Sequence, residues 1–415
     1  MFAYHPLSYG HDPIPAIDIC IAALVAGILL QLVPLPGPVI DTISPADRRV
    51  TQLIALRVPN ALPISLDLTR TAWALTVLLG AILVFLIARR VFATGGVRIA
   101  VRGISAIGML LAAIALAQDA TANGLMYWRW KPVEEGPPPF GPFVNRNHFA
   151  TWAVMAIPMC VGYLAAHATA HRHHGKDQVP LPWRRRLATF LDGRAMGLMT
   201  SACLLLVALV MTMSRSGLLG IATAAALGIL LRGYSGRAGG SARWWIAAGG
   251  ALVLVLTLAE VSPSTIGARI ATFRVSASGR FLIWRDTIQV VRDFWLTGTG
   301  AGTYLTSMLV YQRSSPGWLF NQAHNHYLQV VSEGGLLLAV PAFLALAIFA
   351  RDAWRRVAAD KSGVYWIRAG ALCGLAGVAA QSFWETGLTM PANAALAAIA
   401  AAIVVHDLPP HSGRQ

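Results

Sequence analysis

The chain has 415 residues, of which 56% are hydrophobic and only 12% charged, and its mean hydropathy is +0.58. A soluble globular domain carries about 25% charged residues, so that class is excluded. Apolar runs of roughly the length that crosses a bilayer, about 17–25 residues, recur along the chain, and the net charge of +15 gathers in alternate loops as a topology signal rather than a nucleic-acid footprint.

In chain order the candidate spans are Ile14–Leu35, Thr71–Ala88, Arg98–Gln118, Phe149–His167, Ala195–Met213, Gly217–Leu231, Trp244–Val261, Leu336–Ala350, Val364–Trp384 and Pro391–His406. The sixth and eighth are short. The stretch before Pro15 lacks a basic segment and a small-residue cleavage site, so the first run is expected to stay as a span. Cys20, Cys160, Cys203 and Cys373 all fall in apolar runs and read as free thiols. The expected fold is all-α, a polytopic helical bundle of about ten to twelve spans.

One set of loops holds Arg89, Arg90 and Arg98, then Arg184, Arg185, Arg186 and Arg194, then Arg232, Arg237 and Arg243, then Arg351, Arg355, Arg356 and Lys361. With about ten spans these loops share one side, which the distribution of basic residues makes cytoplasmic, together with both termini. The opposite, periplasmic side receives Pro36–Arg70, Asp119–His148, the Ser214–Arg215–Ser216 corner and the long Ser262–Gly335 segment. That gives a division into 1–140 (N-terminal spans), 141–350 (a core that includes the loop 262–335) and 351–415 (C-terminal spans).

The external side collects the unusual polar residues. GPFVNRNHFATW carries Arg146, Asn147 and His148 to the edge of the fourth span, and MTMSRSGLLG puts Arg215 at the outer interface. Such an Arg can simply anchor a helix end; it is equally a functional-site signal by its position. Arg269, Arg274, Arg280, Arg285, Arg292 and Arg313 give the long loop a basic balance on the side where cations are disfavoured, which points to an anionic ligand.

On an ideal helix over Arg280–Trp295, at about 100° per residue, Phe281, Trp284, Ile288, Val291 and Trp295 share one face. Arg285, Gln289 and Arg292 fall away from it, whereas Arg280 points with the apolar residues. A buried cation needs an anionic partner, so Arg280 either snorkels to water or is aimed into a cleft that receives an anion. GTGAGTY at Gly298–Tyr304 follows a helix-like stretch and not a strand, which makes a plain turn a better reading than a phosphate cradle. The HRHHGK segment (His171, His173, His174) reads as a solvated basic loop rather than a metal site. There is no Asp-x-Asp pair, no Walker motif and no G-x-S-x-G elbow.

The combination FVNRNHFA, SRSG, GRFLIW with LTGTGAGTY, and AHNHYLQVVSEGGL resembles the O-antigen ligase and Wzy-type polysaccharide polymerase superfamily, over roughly Gly141–Leu346 and most specifically over Ser278–Leu336. The resemblance implies a GT-C-like, metal-independent and cofactor-free membrane glycosyltransferase with an inverting mechanism. Its donor is a glycan on undecaprenyl diphosphate, and its acceptor a glycan, a lipid A-core or a protein hydroxyl. It also implies that two arginines and a histidine are essential, and on matching motifs these are Arg215, Arg280 and His324. The residue types suit this chemistry, since arginine binds diphosphate oxygens with a planar fork and histidine can take the acceptor proton. His324 lies at the entrance of the next span and His326 within its first turn, so His324 is the expected base, His326 a packed neighbour lining the substrate site, and Asn321 and Asn325 the groups that orient base or acceptor.

Two alternatives remain at this level. One is a metal-dependent oligosaccharyltransferase with Asp41, Asp47 or Asp67 as ligands. The other is a transporter or flippase for the same lipid, which would place an ionisable group such as Asp18 near mid-bilayer.

Overall fold

The computed structural model describes residues 16–54, 60–132, 138–174, 192–234, 279–314 and 319–407. The span expected at Trp244–Val261, the basic run Arg184–Arg186 and the side chains of the HRHHGK segment lie outside the described residues.

The remaining candidate spans are all helices: α1 (Ala16–Leu32), α4 (Leu68–Thr94), α5 (Val97–Thr121), α6 (Arg146–His174), α7 (Gly193–Met211), α8 (Arg215–Tyr234), α11 (His326–Ala359), α12 (Tyr365–Gln381) and α13 (Pro391–Val405). Six of these, α4 to α8 and α11, are long and apolar enough to cross a membrane, with α1 and α13 shorter. Shorter elements cap one end: α2 (Gly37–Ile43) and α3 (Pro45–Ile54), a two-strand hairpin of β1 (Pro34–Pro36) and β2 (Ala61–Pro63), α9 over 279–293, and α10 (Tyr304–Tyr311). The protein is a polytopic helical membrane protein.

Local chemistry sets the helix limits. Asp67 and Asp192 cap α4 and α7 by accepting from the backbone N–H of Arg70 and Ala195, and Pro391 opens α13 where its missing N–H is harmless. α6 is the most buried of the long helices and packs against α12, α7, α8 and α5. Glycines permit this. A Cβ on Gly162 would collide with the Trp366 carbonyl, one on Gly370 with the Pro158 carbonyl, and one on Gly377 would lie 2.6 Å from the Gly220 carbonyl oxygen. The backbones of α6, α12 and α8 therefore touch directly, as small-residue seams between membrane helices do.

The two sets of loops separate to opposite ends of the bundle. At one end Arg89 meets Asp18 at 3.4 Å, Arg98 donates to the Gly363 carbonyl, and Arg368 pairs with Asp360 at 3.3 Å and donates to the His406 carbonyl. Asp18 is thus a helix-end partner of an arginine at the basic end. At the other end, Gln31 at the end of α1 donates to the Thr297 and Glu333 carbonyls, and Asn393 at the start of α13 donates to the His148 carbonyl.

The face expected for the Arg280 helix is corrected. Phe281 and Trp295 are 62% and 57% exposed and Ile288 is exposed too, while Ile283, Asp286, Thr287, Val290 and Phe294 are buried. The reason is that polar side chains on the inner face find partners. Thr287 shares a 2.7 Å hydrogen bond with the Tyr304 hydroxyl, and Asp286 accepts from the backbone N–H groups of Arg313 and Ser314. A helix at the rim of a bilayer can turn its apolar residues outward, because the outside is apolar as well. Arg285, Gln289 and Arg292 are exposed, as expected, and Arg280 is half-buried.

Candidate functional site

Four segments meet at the capped end. The first is the start of α6. Asn145 accepts from the Asn147 N–H through its side chain and from the His148 N–H through its carbonyl, so NRNH forms the entry turn of the helix. Arg146 donates to the Thr212 carbonyl at 3.4 Å, tying α6 to the α7–α8 corner, and Asn147 is half-buried. His148 is buried.

The second is that corner, where SRSG explains itself residue by residue. Ser214 Oγ accepts from the Gly217 N–H at 3.2 Å and also meets Ser216 Oγ. Gly217 leaves room for α6, since a Cβ there would lie 2.7 Å from Ala150 Cβ. Met213 turns the chain with φ 54°. Arg215 is left exposed at the first position of α8. A cation at a helix N-terminus opposes the helix dipole, so the position is not one that stabilises the helix.

The third is the turn between α12 and α13, which no sequence motif singles out. It holds Glu385, whose side chain is 1% exposed. Its Oε1 lies 3.6 Å from His324 Nδ1 and 4.0 Å from His148 Nε2, and accepts from the Thr386 N–H at 3.2 Å. Burial alone would raise the pKa of Glu385; His324 beside it, then His148 and the Thr386 N–H, outweigh burial and hold the carboxyl below its ordinary value. The signal in the sequence is thin: a single Glu in SFWETG between two apolar runs.

The fourth is the loop before α11. His324 sits there with φ 49°, a left-handed conformation rare for a non-glycine residue. Asn325 caps α11 by accepting from the Leu328 N–H at 3.0 Å, so its side-chain oxygen is used in starting the helix that follows His324. The backbone N–H of His326 donates to the Ser382 carbonyl at 2.8 Å, holding this residue against α12 as expected for the first turn. Asn321 is exposed in the approach.

Arg280 completes the group. Burial lowers its pKa from the ordinary guanidinium value, Glu385 opposes that, and Arg215 lowers it further. The two arginines feel each other as like charges, with one carboxylate partly compensating. Arg215, Arg280, His324, His148 and Glu385 therefore form one electrostatic group drawn from distant parts of the chain, while Arg146 is engaged with Thr212.

The glycine loop is neither a cradle nor a flexible turn. Gly298, Gly300 and Gly302 have φ of 68°, 105° and 78°, and their neighbouring N–H groups point at a carboxylate supplied from within. Glu333 accepts from the Gly302 N–H at 2.8 Å and the Tyr304 N–H at 3.2 Å, and Gln31 accepts from the Ala301 N–H. At Gly335 (φ 51°, ψ −155°) α11 breaks, and Leu336 and Leu337 donate to the Trp295 and Leu296 carbonyls.

Asp41, Asp47 and Asp67 are each engaged elsewhere. Asp41 pairs with Arg48, Asp67 with Arg70, and burial pushes the Asp47 carboxyl up to about 7 against the opposing effects of Thr51 and Arg48. Among the described residues no three His, Cys, Asp or Glu come together as a metal site.

Residues 200–344 match the family model described as O-Antigen ligase. The matched stretch contains Arg215, Arg280, His324 and Glu333, and ends before Glu385. No curated protein and no solved structure matches the chain.

Proposed function

With residues 200–344 matching the O-antigen ligase family, we propose that this protein transfers a glycan from an undecaprenyl-diphosphate donor to an acceptor hydroxyl at the periplasmic face of the inner membrane. Ligase- or polymerase-type chemistry follows from the family. The lipid donor, the acceptor class (glycan, lipid A-core or protein) and the inverting, metal-independent course are the finer reading.

The observation that carries it is the grouping itself: Arg280 has Glu385 and Arg215 as its charged neighbours, and His324 Nδ1 stands 3.6 Å from that same buried carboxylate. Two cations sharing one space are relieved by an anion with several oxygens, and the guanidinium forks bind such oxygens in pairs. Arg215 and Arg280 then hold the diphosphate and stabilise the charge that grows on it as the glycosidic bond breaks. Glu385 faces Nδ1 of His324, which leaves Nε2 to take the proton of the acceptor hydroxyl. Attack from the side opposite the diphosphate inverts the anomeric centre.

The test is a transfer assay with purified protein in lipid nanodiscs and a synthetic polyprenyl-diphosphate glycan. His324→Ala is expected to abolish transfer while donor binding and folding persist, and His326→Ala to keep measurable activity. Survival of His324→Ala would remove histidine from the base role. Activity lost in EDTA and restored by a divalent ion would favour the metal-dependent alternative.

A further inference from the structure

We infer that Trp284 and Gln329 are positioning residues for this reaction: they grip the backbone of Ala323 from two sides and thereby set where the His324 imidazole stands. The inference rests on the proposed role of His324.

Ala323 is fully buried, and neither of its backbone polar groups is held by regular secondary structure. Its N–H donates to Gln329 Oε1 at 3.1 Å and its carbonyl accepts from Trp284 Nε1 at 2.9 Å. The next residue is His324, in its left-handed conformation. A non-glycine residue keeps such a conformation only where its surroundings over-determine it, and these two bonds fix the peptide units on its N-terminal side. The backbone N–H of His326, bonded to the Ser382 carbonyl, fixes the other side.

The grip is itself anchored. Gln329 Nε2 donates to Glu333 Oε1 at 3.0 Å, and Glu333 is held by the Gly302 and Tyr304 N–H groups. The Ala323 N–H can only donate, so it holds the Gln329 amide with Oε1 toward Ala323 and Nε2 toward Glu333. Trp284 lies one helical turn after Arg280 in α9, so one turn of helix carries both the proposed diphosphate ligand and the tether of the proposed base. Through Ala323 the chain makes a continuous path from Glu333 via Gln329 to Trp284, joining α11 to α9. Neither tether is among the groups that touch Glu385, so both act through His324.

The test separates positioning from folding and from the base role. Trp284→Phe keeps an aromatic ring against Phe281 and deletes the N–H; Gln329→Leu keeps the volume and deletes both amide bonds. Each is expected to lower kcat about 10- to 100-fold, the scale of a misplacement near 1 Å, while the donor KM stays within about twofold, because Arg215 and Arg280 are untouched. Trp295→Phe, on an exposed indole outside the path, serves as the unchanged control. Thermal unfolding and gel filtration in the same nanodisc or detergent show which variants are folded, and Trp284→Phe, the milder change, carries the test should Gln329→Leu fail to fold. If His324→Ala is inactive while folded Trp284→Phe retains wild-type kcat, or loses efficiency only through donor KM, the tether is refuted and the base assignment stands. If His324→Ala is active, the base assignment falls and takes the tether with it.

Discussion

Glu385→Gln isolates the charge of the buried carboxylate. The amide keeps the side-chain shape and an oxygen for the Thr386 N–H, but removes the anion 3.6 Å from His324 Nδ1. When His324 takes the acceptor proton it becomes a cation, so its attraction to Glu385 exists in the transition state and not with neutral imidazole. That makes the interaction a differential one, felt in kcat. At an effective dielectric near 20, unit charges at this separation attract by roughly 4–5 kcal/mol. Desolvation of the buried group reduces this, leaving a net value of about 1.5–3 kcal/mol, at the low end of the coupling between close charge pairs. The expected loss in kcat is therefore about 10- to 150-fold, with donor KM little changed. The pH dependence of stability gives a second reading. Because the folded state holds Glu385 below its ordinary value of 4.5, ionisation contributes stability above the ordinary glutamate range, and that contribution is lost as pH falls through the depressed value. Thermal unfolding of Glu385→Gln should thus lose part of its acid-side pH dependence, while transfer kinetics on the purified variant report the catalytic effect. Unchanged kcat in a folded variant would refute the carboxylate–histidine argument.

Arg280→Lys and Arg215→Lys should each lower transfer about 10- to 100-fold because a point charge does not reproduce the fork, whereas Arg285→Ala and Arg292→Ala, on exposed positions, should stay within about twofold; equal losses at all four would mean that only net field matters. Gly298→Ala should destabilise the protein by about 1–3 kcal/mol or more, since a Cβ there meets the Glu333 carbonyl at φ 68°, and an unshifted unfolding temperature would contradict the pinned loop. Single cysteines at Asn60 and Lys361, on opposite ends of the bundle, should label with an impermeant maleimide only from the periplasmic and only from the cytoplasmic side respectively; the reverse pattern would invert the proposed orientation.

The spans are readable because apolar length is a local property: each candidate within the described residues is a helix, although α4 runs on through Arg89 and Arg90 and α11 starts well before Leu336. The grouping of Arg215, Arg280 and His324 is readable only through motif resemblance, since nothing in spacing links them. The departures have physical causes. The amphipathic pattern of α9 reads as packing on a protein interior, yet an apolar face at a membrane rim can point either way, and Thr287 and Asp286 take the inside. Glu385 escapes notice because its partners His148 and His324 are remote in sequence and its neighbours are apolar. The glycine loop reads as a plain turn because its ligand, Glu333, arrives from another motif.

The glycine seam of α6, α12 and α8 has a consequence for reading sequence variants of this protein. Those three helices carry His148, Glu385 and Arg215 at one end, and their separation is set by bare backbones in contact. Gly370 lies about 16 Å along the helix axis, at about 1.5 Å per residue, from Gln381, where α12 ends before Glu385, yet a methyl group there must push α12 away from α6 at the Pro158 carbonyl. Alanine at Gly162, Gly370 or Gly377 would therefore belong with the loss-of-activity alleles, although none of these residues carries a reactive group.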